Sequence, residues 1–181
     1  MGPIPFSMQF RGHATWLHPG VVVARATSPS SALVTEIDGS GVHGQVEARE
    51  GAEAHLECRL TFTDDGQFSE VGTISFGNGN ALRFRSRGNG TLAASPDPHL
   101  RQGATVWEID GGSGALAGAS GLIVSNFLLS DSGDLTDHQL GLVFLSTSKE
   151  LTCSSASRAD SLSPPWRPSP VPAPPTPRPS A

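Results

Sequence analysis

Glu70 is the residue whose setting promises chemistry. The stretch from Phe68 to Phe76 alternates, and it puts the Glu70 carboxylate on the face of Phe68, Gly72, Ile74 and Phe76. A carboxyl group on an apolar face holds its proton to higher pH than usual, which suits it to general acid–base work. The plainer alternative is a Glu at a rim or bulge, facing water. Two further polar residues sit on apolar stripes. His138 shares a face with Leu140, Leu142 and Phe144, and Asn126 shares one with Leu122, Val124 and Leu128. A turn at Asp131-Ser132-Gly133-Asp134 sets these two at nearly opposed positions, within hydrogen-bonding reach of one another. A polar group buried without a partner is costly, so each is either satisfied in a core or at work. Glu70, His138 and Asn126 are the candidate catalytic residues, for one proton transfer or for polarising one carbonyl.

Other chemistries find little footing. Cys58 and Cys153 have no metal-ligand spacing, and Cys58 lies on an apolar face as inert filling. The six histidines are scattered, and no Ser sits in a nucleophile elbow. No cofactor and no metal is expected. Gly112-x-Gly114-x-x-Ala117 matches a dinucleotide-binding fingerprint literally. That fingerprint needs a helix after the glycines, and here the next residues, Leu122 to Phe127, read as a strand. The glycines are better read as a corner between strands.

Positioning these residues falls to β-strands. Period-two alternation runs through most of the chain, most cleanly from Glu53 to Phe62. There Ala54, Leu56, Cys58, Leu60 and Phe62 point one way and Glu53, His55, Glu57 and Arg59 the other. Further strands are expected at 7–16, 21–26, 42–49, 104–110, 122–130 and 136–145. Gly77-Asn78-Gly79-Asn80 marks a hairpin turn. Eight or nine strands joined by short turns close most economically into an eight-stranded antiparallel up-and-down β-barrel, because closure removes sticky edges. The apolar faces would line its interior, so Phe10, Trp16, Phe68, Phe76, Trp107, Phe127 and Phe144 are the candidate substrate-binding residues. Arg83, Arg85 and Arg87 form a basic row on an outer face, facing the acidic row of Glu53 and Glu57. The Pro-bracketed segment from Ala94 to Leu100 is placed as a lid at a barrel mouth, with His99 near a ligand.

Composition bounds the rest. The chain has 181 residues, a net charge of −5 and 16% charged residues, a poor match for the basic stripe of a nucleic-acid binder. No stretch reaches the apolar length of a membrane helix, and the first residues lack the pattern of a signal peptide, so a cytoplasmic location is expected. Nine of the 15 prolines fall in residues 164–181, so a barrel over residues 4–148 is expected to be followed by a disordered Pro-rich tail over 152–181.

The run Trp107-Glu108-Ile109-Asp110-Gly111-Gly112-Ser113-Gly114, with Leu116, Gly118, Ala119 and Gly121, resembles the glycine-rich corner of the allene oxide cyclase and dirigent barrels. The resemblance covers about 40 residues, 105–145. It implies an eight-stranded barrel with an apolar cavity that shapes a flexible substrate without a cofactor. No catalytic residue carries over, because Phe6 to Ala14, the first strand, has neither the carboxylate nor the Asn found in allene oxide cyclases. The implied function is a cofactor-independent cyclase or isomerase for an apolar, polyketide-type natural-product intermediate. The alternative is a non-catalytic lipocalin-like barrel that binds a small hydrophobic ligand. The partner in either case is that small molecule, with no nucleic acid, no membrane and room for a homo-oligomer.

Overall fold

The computed structural model describes residues 2–63 and 65–145. The tail at 152–181 and Cys153 lie outside the described residues. Nine antiparallel strands follow in chain order: β1 (Ile4–His18), β2 (Val21–Asp38), β3 (Gly41–Phe62), β4 (Gln67–Ser75), β5 (Ala81–Ser86), β6 (Gly90–Ala94), β7 (Leu100–Ser113), β8 (Ser120–Ser130) and β9 (Asp134–Phe144). Every strand pairs with the next in sequence except β5 with β6, and β1 pairs with β9, so the sheet closes on itself. β5 and β6 both lie between β4 and β7, one after the other along the same line. They are two halves of one broken stave. Nine strands therefore make the expected eight staves. Among the described residues no helix is long and apolar enough to cross a membrane.

The glycine run is the corner it was read to be. β7 ends at Ser113, a single 3₁₀ turn spans Gly114–Leu116, and β8 leads away from Ser120. A Cβ on Gly112 would lie 2.3 Å from the Leu116 carbonyl oxygen, so no other residue fits there.

The strand expected at 42–49 is present, but its partner at 31–38 was not foreseen. β2 and β3 continue well past the barrel wall as a two-stranded ribbon, with Ser31–Asp38 paired to Gly41–Ala48. Pro29, within Ser28-Pro29-Ser30-Ser31, has no backbone N–H to give to the ladder. The strand survives it because the ladder bulges there. Register shifts between Pro29 and Ser31, and the Ser30 hydroxyl donates to the Ala52 carbonyl at 2.8 Å in place of a ladder bond.

The core lies inside the ring. Phe10, Phe68, Ile74, Leu82, Trp107 and Ile123 are almost wholly buried. On the outer wall the basic row takes other partners than expected. Arg85 pairs with Glu108 at 3.3 Å, and Arg83 donates to the Asp110 carbonyl. Glu57 is held instead by both arms of Arg25 from β2. The reason is topological, since β3 neighbours β2 and β4 and never meets β5.

Candidate functional site

Glu70 points into the barrel from β4, across the ladder from Leu60 on β3, and is only 5% exposed. It sits opposite the break in the broken stave. The β4–β5 pairing stops at Val71, and β4–β6 begins at Phe68, which leaves the Glu70 backbone without a ladder partner on that side. Ser86 supplies one. The Glu70 N–H donates to the Ser86 hydroxyl oxygen at 2.5 Å, and that hydroxyl donates to the Glu70 carbonyl at 3.1 Å. The carboxylate is held from the other side. Trp107 Nε1–H donates to Glu70 Oε2 at 2.8 Å, and the indole is stacked on Phe84 with ring centroids 3.8 Å apart.

Burial pushes the Glu70 carboxyl up to about 7. The Cys58 thiol and the Trp107 N–H both pull it down by hydrogen bonding, and the nearby Asp137 carboxylate pushes it further up. Near neutral pH the group is thus divided between acid and base. Cys58 itself is buried, and its thiol is raised well above the ordinary range, chiefly by desolvation, so it is not a nucleophile.

Above Glu70 a cavity of about 240 Å³ opens at the barrel end that carries the β8–β9 turn. Val22, Ala24, Leu60, Leu92 and Phe127 form apolar wall, and Cys58 and Glu70 also line it. Trp16 and Arg101 stand in the lining with the turn Ser130–Gly133. Trp16 is 60% exposed, and its ring begins an aromatic file leading inward through Phe62 and Phe68 to Phe127, with centroid spacings of 5.5, 5.3 and 6.0 Å.

The other candidates divide. Phe10, Phe68 and Trp107 are packed core, Trp16 and Phe127 line the cavity, and Phe76 is half-buried against the core beyond the far end of β4. His99 is not among the lining residues. The loop before it is a tight turn in which Asp97 accepts the His99 N–H, and Leu92 and Arg101 on the flanking strands reach the cavity instead.

Three residues prove to be on the wrong side. Asn126 and His138 are opposed across β8 and β9 as expected, but both project from the outer wall. His138 bonds there with Gln9 from β1 at 3.2 Å. Phe144 shares that outer face and is 46% exposed. The inward residues of β8 and β9 are instead Ile123, Ser125 and Phe127, and Leu135, Asp137, Gln139 and Val143. The cause is that both faces of these strands carry large apolar residues, so alternation alone does not set the phase. A signal was available. Asn126 and Phe127 are adjacent in one strand, so only one of them can face the lumen.

The inverted phase hid a second polar group. Asp137 is buried, with the Ser125 hydroxyl donating to one oxygen at 2.8 Å and Gln139 Nε2 to the other at 2.6 Å. Burial raises its proton affinity, and the two bonds offset part of that rise. It lies in the packed layer beneath the cavity and is not among the lining residues. Among the described residues, no three His, Cys, Asp or Glu side chains converge as a metal site.

No family model and no curated protein matches the chain. Among solved structures it is similar to a pterocarpan synthase dirigent protein, at 14% identity and a TM-score of 0.46, over 80% of this chain and 89% of that one.

Proposed function

We propose that the barrel holds a small apolar natural-product intermediate, of polyketide type, against Glu70 and promotes its cofactor-free cyclisation or isomerisation. The observation that carries this reading is a carboxyl group of near-neutral proton affinity set among Val22, Ala24, Leu60 and Phe127 in the apolar part of a cavity wall. The polar residues of that wall, Arg101 and the turn Ser130–Gly133, are separate from it. The Glu70 carboxylate takes a proton from one substrate carbon and, as the acid, returns one at another, so bonds are redistributed with no net redox change. General acid–base transfer of this kind is worth roughly 10²–10⁴ in rate. Apolar walls add orientation, since a flexible chain confined in a reactive fold has already lost much of the entropy of reaching it. At about 240 Å³ the cavity lies just below the roughly 300–1,000 Å³ usual for ligand sites, so it takes one small ring system or a short folded chain, with any polar end toward Arg101.

The second reading is a lipocalin-like binder without turnover. One observation favours it. The other carboxylate of the cavity lining, Asp131, is exposed at the rim, and Cys58 is inert, so among the described lining residues a protonated Glu70 has no second acid–base group to work with. Asp137, though near, does not line the cavity. Glu70 would then serve as a buried donor to one ligand carbonyl.

Titration with 1-aminoanthracene, a neutral fluorescent apolar amine, tests both. Saturable binding at one site is expected, with competition by small polyketones. Ala24→Phe, which fills the cavity, should abolish it. Failure of the wild-type protein to bind would sink the cavity as a ligand site. With a competing polyketone as substrate, Glu70→Gln should bind as before and lose turnover by about 10²-fold or more. Ligand binding without conversion by either protein would leave the binder reading standing and remove the enzyme.

A further inference from the structure

The arginines of the chain are unevenly placed. Residues 2–145 hold eight, and five of them point outward from one run of strands: Arg11 from β1, Arg25 from β2, Arg59 from β3, and Arg83 and Arg85 from β5. The whole chain is net acidic, at −5, so this wall is charged against the rest of the molecule. Many of the acids lie elsewhere, with Glu36, Asp38 and Glu47 on the ribbon and Asp65, Asp97 and Asp131 in turns. A locally basic wall on an acidic protein draws anions to one place, and salt screens the attraction.

A groove of about 890 Å³ runs along this wall. Arg11, Arg25 and Arg59 line it, and Leu17, Val23 and Val71 supply its apolar surface. Leu17 and Val71 are both more than half exposed. The strand register fixes the spacing of the cations. Arg11 opposes Thr27, and Arg25 stands two residues before Thr27. Arg25 opposes Glu57, and Arg59 stands two residues after Glu57. The three arginines therefore form a diagonal line across β1, β2 and β3, and diagonal neighbours in a sheet are about 7–8 Å apart. Arg25 holds the Glu57 carboxylate with two hydrogen bonds, at 3.1 and 3.2 Å, so a carboxylate already sits in this groove. Arg11 donates its Nε–H to the Gln9 side-chain carbonyl. Arg59 has no hydrogen-bond or ion-pair partner among the described residues. Its planar fork of donors is free for an incoming carboxylate.

We propose that this groove binds an extended acidic segment of a partner protein, with Glu at alternate positions. An extended chain repeats its side chains on one side at roughly 6.8 Å, close to the diagonal step of the arginines. Successive carboxylates then meet Arg11, Arg25 and Arg59, the one at Arg25 competing with Glu57. Leu17, Val23 and Val71 receive the aliphatic stems of those side chains, which favours Glu over the shorter Asp. The apolar surface also favours a peptide over a nucleic acid, whose phosphates would leave Leu17 and Val71 uncovered and would be repelled by the acidic remainder of the molecule. The proposal is independent of any activity in the lumen, since these side chains point away from it.

Fluorescence anisotropy of a fluorescein-labelled peptide of alternating Glu and Thr, titrated with the full chain, tests it. Saturable binding at micromolar protein is expected in low salt, and added salt should weaken it severalfold. Arg59→Glu should weaken binding by about tenfold or more. Arg49→Glu makes the same change in net charge on the ribbon and should leave binding nearly as it was. Glu57→Gln frees Arg25 and should tighten binding by about threefold or more, which tests the groove even if Arg59→Glu folds poorly. A peptide of the same composition with its glutamates in one block should bind more weakly than the alternating one. Absence of binding by the wild-type protein overturns the proposal. So does an equal loss in the Arg49→Glu and Arg59→Glu chains, which would reduce the effect to net charge. Tighter binding of a single-stranded DNA of equal length, or sedimentation with anionic vesicles that the peptide fails to displace, overturns it in favour of a nucleic acid or a lipid surface.

Discussion

A carboxylic acid surrounded by Leu60, Ala24 and Phe127 has lost most of the water that would stabilise its anion, and Glu70 keeps its proton toward neutrality for that reason. Its contact with the Trp107 indole makes the ionisation visible. The tryptophan emission of the wild-type protein should titrate with a midpoint near 7. Glu70→Gln should lose that step, and a step that persists would show that another group reports. Cys58→Ala removes a hydrogen bond that favours the anion, so it should move the midpoint further up. A downward movement would mean that the thiol is not donating to the carboxylate.

At the scale of elements, the broken stave and the glycines opposite large rings shape the lumen. Ser86 stands in for the ladder at Glu70, and Ser86→Ala leaves the Glu70 N–H and carbonyl without it, at a cost of about 1–3 kcal/mol. Hydrogen exchange at the Glu70 amide should speed up accordingly, and an unchanged rate would show that the clamp is idle. Gly103 faces the Phe127 ring across β7 and β8, and a Cβ there would lie 2.2 Å from its tip. Gly103→Ala should therefore cost about 1–3 kcal/mol by denaturant unfolding and, by displacing Phe127, weaken 1-aminoanthracene binding. Where one face of a strand was polar, as on β3, alternation oriented it correctly, and Cys58 and Leu60 face inward as expected. Where both faces were apolar, as on β8 and β9, the sequence offered no preference, and the side that looked like core is the one left bare outside.

The molecule as a whole pays for Glu70 in its response to pH. The native carboxyl binds its proton more tightly than the unfolded one, whose ordinary value is 4.5. This contribution to stability is fully present below about 4.5 and is lost as pH rises to about 7. The loss is on the order of 3 kcal/mol. Asp137, also raised, acts in the same direction, and the lowered, exposed Asp38, Asp65 and Asp134 act weakly against it. Subtracting the Glu70→Gln curve isolates the main effect. The difference in unfolding free energy between wild type and Glu70→Gln should fall steadily from pH 4.5 to 7, and a flat difference would place Glu70 in water.

The strand pattern, the hairpin at 77–80, the glycine corner and the inward Glu70 were all legible in the chain, because each depends on local alternation or on backbone conformations that few residues permit. The eight-fold closure was legible in number but not in its broken stave, which exists only because two short strands share neighbours distant in sequence. Tertiary structure alone decided which face of β8 and β9 is inside. It exchanged Asn126 and His138 for Asp137, Ser125 and Gln139, and turned Phe144 outward. It also carried β2 and β3 past the barrel into a ribbon, since a bulge that absorbs Pro29 is a property of the paired strands and not of either one. A strand's sequence states that it has two faces, and only the ring it joins determines which of them is the interior.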